Sequence, residues 1–376
     1  MNTPANPPAH ILSEEKVKSF IDAILDPAAT QIPRLECPTL DKSRYGTLVP
    51  KTPTTPRTQY FFAIDLRNVL DLLPRLLGSV IEVARFLGPD RCAISIVEGN
   101  SPDGTAEILH ALQPHLRDAG IAYSYVPSDI NPSDGDRIGK LAELRNLALE
   151  PLFGKHKNQE VSEDTTVIFL NDVAACPEDI LELVLQRRGL NATMTCAMDW
   201  TYVGRDPTFY DVWVARGMNG DSFFNIPEDG SWDYAWNLFW NAPDAQARLA
   251  AHRPFQVFSC WNGAVVFSAG PLLDGLRFRA ADGEKGECNQ GEPQLFCKDL
   301  WFRGQGRIAV VPTVNLEYSD EAALKIKKLK GYTSNLVAAQ TEQTNKIDWK
   351  LAPPETVKCM DGWAHQFWQA WNETLG

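Results

Sequence analysis

No stretch of the chain approaches the roughly 18 uninterrupted apolar residues of a membrane-spanning helix. The opening MNTPANPPAH is polar and proline-rich and reads as neither signal peptide nor anchor. The expectation is a cytosolic protein or the soluble part of an anchored one. Positive charge is also scarce: 36 Lys and Arg against 48 Asp and Glu leave a net charge of −12. Such a chain has no broad basic surface for nucleic acid, and any phosphate ligand must rely on a few local cations. There is no G-x-G-x-x-G after a strand, and no G-x-x-x-x-G-K-[ST], H-E-x-x-H or G-x-S-x-G. These absences argue against dinucleotide oxidoreductases, P-loop NTPases, zincins and α/β-hydrolases. The eight cysteines form no C-x-x-C and no zinc-type cluster with His.

What is present is globular: 44% hydrophobic and 22% charged residues, enough to build a core. A length of 376 residues suggests two domains or one large α/β domain with additions. Cys92 and Cys196 sit inside strand-like runs and read as buried thiols, whereas Cys260, Cys288, Cys297 and Cys359 lie in a loop-rich half where pairing is feasible. The sequons Asn191-Ala192-Thr193 and Asn372-Glu373-Thr374 are compatible with a secretory lumen.

Three regions emerge. Residues 1–58 hold one amphipathic helix, Ser13 to Leu25, with Ser13 as N-cap and Val17, Phe20, Ile21 and Ile24 on one face, followed by the Pro/Thr-rich arm Pro50–Pro56. Residues 59–199 alternate. Strand-like runs at 60–66, 92–98, 122–126, 166–170 and 193–198 enclose helical patterns near 68–87, 104–119, 137–153 and 177–187. That alternation implies βαβ crossovers and a mainly parallel sheet, with ligands beyond the strands' carboxyl ends. Residues 200–376 hold most of the tryptophans and fewer clear crossovers, with strands expected at 256–260, 264–269 and 307–314. The two latter regions are expected to form one continuous domain.

Five features bear on chemistry. Val167-Ile-Phe-Leu-Asn171-Asp172 is a buried strand that ends in a polar pair, and Asp172 there suits a hard divalent cation or, more plainly, a helix cap. Glu98-Gly-Asn-Ser-Pro-Asp103-Gly-Thr105 lets backbone approach a ligand or simply turns strand into helix. Arg137, Lys140 and Arg145 share a helix and form a local cation cluster, whose arginine forks match phosphate oxygens, or else they face solvent. Trp200 and Trp261, at strand ends, offer faces for sugar rings, with Asn262 beside them to bond hydroxyls, or else pack in the core as most tryptophans do. Glu292 and Asp299 stand two turns apart on a helix, as acid/base groups or as solvated charge.

At these motifs the sequence resembles the fungal capsule-associated α-1,3-mannosyltransferases, glycosyltransferase family 69. The carrying residues are Ile96 to Thr105, Leu144-Arg-Asn146, Phe169-Leu-Asn-Asp-Val173, Cys196-Ala-Met-Asp199, Tyr210-Asp-Val-Trp213 through Arg216, Ser259-Cys-Trp-Asn-Gly263, Phe278-Arg279 and Leu295 to Trp301. They occur in order over roughly residues 59–320. The resemblance implies a GT-A-type, Rossmann-like α/β glycosyltransferase, a type II Golgi membrane protein in full length. It also implies GDP-mannose as donor, Mn2+ or Mg2+ as metal, and a mannoside acceptor. Asn171-Asp172 match the family's acidic metal motif; Asn in its first position leaves one carboxylate, Asp172, and calls for another ligand downstream. Gly291-Glu-Pro293 stands where the family carries Ser-Glu-Cys, which bears on any disulfide of Cys297.

The resulting expectation is specific. Asp172 holds the metal, with Asn171 beside it, and Arg137, Lys140 and Arg145 face the diphosphate. Arg67, Glu98 and Asp103 line the nucleotide pocket. Asp199, Trp200, Trp261 and Asn262 orient the sugars, and Glu292 or Asp299 faces the acceptor. Two rivals are the same fold with another donor, such as UDP-galactose or UDP-xylose, and a non-catalytic carbohydrate-binding subunit.

Overall fold

A computed structural model describes residues 11–49, 58–154, 161–338 and 340–373. The Pro/Thr-rich stretch at 50–56 lies outside the described residues. The strands are β1 (Tyr60–Leu66), β2 (Cys92–Glu98), β3 (Ala122–Pro127), β4 (Thr166–Leu170), β5 (Met194–Val203), β6 (Asp206–Phe209), β7 (Arg216–Gly217), β8 (Phe255–Ser259), β9 (Ala264–Ser268), β10 (Ile308–Leu316), β11 (Thr356–Gly362) and β12 (His365–Ala370). The first ten form one sheet ordered β3-β2-β1-β4-β9-β5-β10-β8-β7, with β6 paired to β5; β11 and β12 form a separate hairpin.

The central strands are near-continuous apolar runs because helices cover both sheet faces. Every residue of β2, β4 and β10 is buried, and in β1 Asp65 alone is half-exposed. β3, at the sheet's edge, is half-buried up to its last residue, Pro127, which is exposed. The Leu73–Leu87, Thr105–Asp118, Arg137–Leu149 and Pro177–Gly189 helices fall where the 3.6-residue pattern sets them. β1, β2, β3 and β4 pair in parallel, as do β5 and β10. β9 lies antiparallel between β4 and β5, so strands from beyond residue 200 are woven into the same sheet. The resulting sheet is an α/β assembly with a mainly parallel core and antiparallel additions.

The N-terminal arm is fastened to this core. Ser13 caps the Glu14–Leu25 helix by accepting from Lys16 N–H, and Phe20, Ile21 and Ile24 are buried. Arg44 pairs with Glu182 at 2.8 Å, and Cys37 is bonded to Cys176.

The cysteine expectations need correction at two positions. Cys196 is no free thiol but is bonded to Cys260, because the chain from β8 into β9 passes against β5. Cys288 pairs with Cys359, whereas Cys92 and Cys297 remain buried thiols. No described helix is long and apolar enough to cross a membrane.

Candidate functional site

β1, β4, β5 and β10 point the same way, and their carboxyl ends converge on one cleft of about 890 Å3. The last β1–β4 pair is Ile64 with Leu170, which sets Asp65 level with the point where β4 gives way to Asn171 and Asp172. Asp65, Asn171, Asp172 and, after β10, Tyr318 all line the cleft. One wall is the Arg137–Leu149 helix. Its Asp136 N-cap accepts from Gly139 N–H, and Arg137, Leu141 and Arg145 face inward at one-turn intervals.

The Asp172 loop is braced from below. Asn171 N–H donates to the Gly263 carbonyl at 2.9 Å, and Ala174 N–H donates to Glu317 at 2.8 Å. Asn262 and Gly263 both adopt positive φ, 56° and 80°. A Cβ on Gly263 would stand 3.1 Å from Val173 Cγ1 and 3.3 Å from Asp199 Cβ, so the tight turn needs glycine there.

Electrostatically the cleft is acidic. Asp65, Asp136, Asp172, Asp211, Glu292 and Asp361 line it against two arginines, Arg137 and Arg145. Burial raises Asp172 above the ordinary carboxylate range, with Arg145 opposing the shift. Burial likewise lifts Asp65 to about 6, against the pull of Arg145 and with help from Asp172 and Glu292. Arg145 is the hub: its Nε bonds Glu292 at 2.8 Å, Nη1 reaches Asn171 Oδ1 at 3.4 Å, and its guanidinium lies 4.5 Å from the Trp261 ring centre. One further acid, Asp199, sits behind the cleft and acts on Asp211 at its lining. Asp199 is fully buried and accepts from the Tyr318 hydroxyl at 2.5 Å. Its carboxyl is driven well up by burial and then by Asp211. Asp211, lifted to about 6 by burial, accepts from Asn262 N–H at 2.8 Å.

Of the residues singled out in the sequence, Asp172, Asn171, Arg137, Arg145, Glu292 and Trp261 are brought together here. Asn171 has its amide oxygen committed to Arg145 and Trp261. The others are placed differently. Lys140 is one turn from Arg137 but off the inward face, and it donates to the Asp134 carbonyl. Asp299 rides about 10 Å further along its helix than Glu292; it pairs with Arg279 at 2.8 Å and does not face the cleft. Glu98 accepts from Ser101 N–H at 2.7 Å, and Asp103 accepts from Thr105 and Leu70 N–H. Both organise the strand-to-helix turn, the plainer of the two readings. Arg67 is exposed at the end of β1, bonded to Asn131 at 3.3 Å.

The sugar-stacking expectation is also corrected. Trp200 is 5% exposed and donates to Asn315, and Trp261 is 1% exposed, edge-on to Phe169 and Phe278. Neither offers a free face, and Asn262 spends its side chain on the Ala197 carbonyl. Asp199 lies beneath the cleft rather than in it. Sequence reasoning missed Asp65, Asp211 and Tyr318. Asp65 was signalled by a lone carboxylate in an apolar strand, and Asp211 lies inside the Tyr210–Trp213 motif. It also missed the accessible aromatics Trp213, Trp232 and Trp363.

Among the described residues no three or more His, Cys, Asp or Glu form a ready-made metal cluster. The cleft donors suit instead a hard cation held through one or two carboxylates and completed by ligand oxygens, a habit of Mg2+-type sites.

Comparison with known proteins gives the family. Residues 59–299 match the model described as Cryptococcal mannosyltransferase 1. The chain is 37% identical over 320 residues to the alpha-1,3-mannosyltransferase CMT1 of Cryptococcus neoformans var. neoformans, covering 81% of this chain and 68% of that one. Solved structures give weaker likenesses. The mannosyltransferase PcManGT from Pyrobaculum calidifontis, in complex with GDP-Man and Mn2+, has a TM-score of 0.42 at 13% identity, over 81% of this chain and 67% of its own. TarS of S. aureus in complex with UDP has a TM-score of 0.40 at 12% identity, over 76% and 68%. The matched segment spans β1, the Asp172 loop and the Glu292 helix, and the chain belongs to the Cryptococcal mannosyltransferase 1 family of glycosyltransferases.

Proposed function

We propose that the chain moves mannose from GDP-mannose to a mannoside acceptor, forming an α-1,3 linkage with retention, in a GT-A-type site that uses Mn2+ or Mg2+. The family and the name of its cryptococcal relative support mannosyl transfer. The observation that carries the metal is the charge of the cleft: six carboxylates face two arginines. A nucleoside diphosphate is repelled by that field unless a cation enters with it. Asp172, with Asp65 at the adjoining strand end, would hold the cation. When bound, it supplies neutralisation of the charge on the departing GDP.

The remaining work falls to the chain itself. Arg145 and Arg137, on the inward helix face, meet phosphate oxygens. Arg67, at the end of β1, is available to the nucleoside. Asp211 and Glu292 border the space left for the sugars. Asp199, fully buried and held by the Tyr318 hydroxyl, lies behind Asp211. An α-linked donor giving an α-linked product retains configuration, and no enzyme nucleophile is assigned. A Golgi-lumenal, type II anchored protein is part of this reading, supported by three disulfides, which persist in oxidising compartments.

The test is a calorimetric titration of GDP-mannose, with UDP-sugars as controls, with and without Mn2+. Mn2+-dependent binding selective for GDP-mannose is expected, lost in Asp172→Asn while the melting curve is retained. Tight UDP-sugar binding, or full metal-dependent turnover in Asp172→Asn, refutes the donor or the metal assignment respectively.

A further inference from the structure

The β11–β12 hairpin lies beyond the segment that matches the family model, yet its tip reaches the cleft: Asp361 and Trp363 line it. An isolated two-stranded hairpin is marginal in water, so its position must be imposed from outside. Four ties do this. Cys359 is bonded to Cys288. Arg216, fully buried, donates through Nε to the Lys358 carbonyl at 2.9 Å, and Lys358 N–H donates to Gly220 at 2.9 Å. Gln366 Nε2 donates to the Ile226 carbonyl at 3.1 Å. Gly230, at φ 73°, packs so closely that a Cβ there would stand 2.8 Å from Trp363 Cγ.

The ties hold one ring in one place. Trp363 meets Trp213 edge-to-face, 4.7 Å between centres at 81°, and Trp232 leans on Phe224 along the same wall. All three tryptophans line the cleft and keep part of their surface exposed, unlike Trp200 and Trp261. Asp361 stands beside them, exposed, with one oxygen held by His365 and the other open, and with Asn289 nearby. Rigid aromatic faces interleaved with a few polar groups match a pyranose, whose C–H face stacks on a ring while its hydroxyls bond around the rim. The acid-rich lining disfavours an anionic ligand.

Building on the glycosyltransferase reading, we propose that Trp213, Trp232 and Trp363 form the acceptor subsite for a neutral oligosaccharide longer than one residue, and that the hairpin sets acceptor specificity. The sugar one or more units from the reacting hydroxyl would stack on this wall, and Asp361 would accept from its hydroxyls.

The test uses the full chain without donor, so that it reads the wall alone. Wild type, Trp363→Ala, Trp363→Phe and Trp232→Ala are titrated with mannotriose and with methyl mannoside, and their melting temperatures are compared. Trp236, 76% exposed and outside the cleft lining, supplies the control Trp236→Ala. Mannotriose should bind wild type more tightly than methyl mannoside does. Trp363→Ala should weaken mannotriose about tenfold and erase that preference, while Trp363→Phe stays within about threefold of wild type. Trp232→Ala should weaken it as well, and the control should not. Equal mannotriose affinity in Trp363→Ala and wild type overturns the proposal, as does a wild type that binds no mannotriose. A chain that binds mannotriose through Trp363 but binds no GDP-mannose refutes the donor and leaves the wall standing.

Discussion

Replacing Arg145 by Met separates what that arginine does for the fold from what it does for a ligand. Met keeps the apolar stem over Trp261 and removes the guanidinium. Glu292, with only 4% of its side chain exposed, then loses its partner at 2.8 Å; Arg145 itself is 11% exposed. Breaking a buried pair from one side costs about 3–5 kcal/mol, and the cleft's access to water argues for about 3. At about 2.1 cal/mol/K per residue, unfolding 376 residues has an entropy near 0.8 kcal/mol/K. A loss of about 3 kcal/mol therefore lowers the melting temperature by about 4 °C. The double variant Arg145→Met/Glu292→Gln removes both charges and should recover most of that. Donor affinity should behave differently: if Arg145 meets the diphosphate, it falls in the single variant and stays low in the double. Scanning calorimetry reads the first quantity and titration with GDP-mannose and Mn2+ the second. A single variant that melts within about 1 °C of wild type refutes the buried-pair argument, and recovery of donor affinity in the double variant refutes the phosphate role.

Two further outcomes follow from buried charge. Asp211 is lifted to about 6, so between about pH 4 and 6 the folded chain holds a proton that the unfolded chain has released. Its contribution to stability is therefore fullest at about pH 4 and is lost as pH rises through about 6. Asp211→Asn, whose amide oxygen can still accept from Asn262 N–H, should gain in melting temperature relative to wild type as pH rises from about 4 to 7; parallel curves in scanning calorimetry would contradict this. Lys327 reaches both Asp179 oxygens at 2.7 Å with both side chains essentially inaccessible, and Asp179 also accepts from Thr333 and from Cys176 N–H. Lys327→Met should cost about 3–5 kcal/mol in urea unfolding, and a loss below about 1 would mean that the carboxylate finds other partners.

The legible part of this protein was the part where burial leaves a period. β1, β2 and β4 match the apolar runs read in the sequence, because a strand covered on both faces is mostly apolar and admits few polar residues, here Ser95, Glu98 and Thr166. The same rule exposed Asp172, the carboxylate that follows β4. It also contained Asp65, whose charge inside β1 is an exception that the run alone cannot interpret. Past residue 200 the signal fades for a physical reason: β9, β8 and β10 join a sheet begun by other strands, and their neighbours are set by distant chain rather than by the next helix.

The tryptophans show the limit most clearly. Trp261 and Trp363 are the same residue type, each close to a strand end, yet one is 1% exposed between two phenylalanines and the other looks into the cleft. What separates them is not local. Trp261 is covered because Arg145, held by Glu292 from another helix 147 residues away in the chain, lies over its ring while Phe169 and Phe278 pack against it. Trp363 stays open because a disulfide from Cys288 and a buried arginine hold the hairpin at the rim. Charge at the floor and aromatic surface at the wall thus come from different parts of the chain. Change in the hairpin is consequently free to alter what the wall accepts while Asp172 and Arg145 keep their geometry.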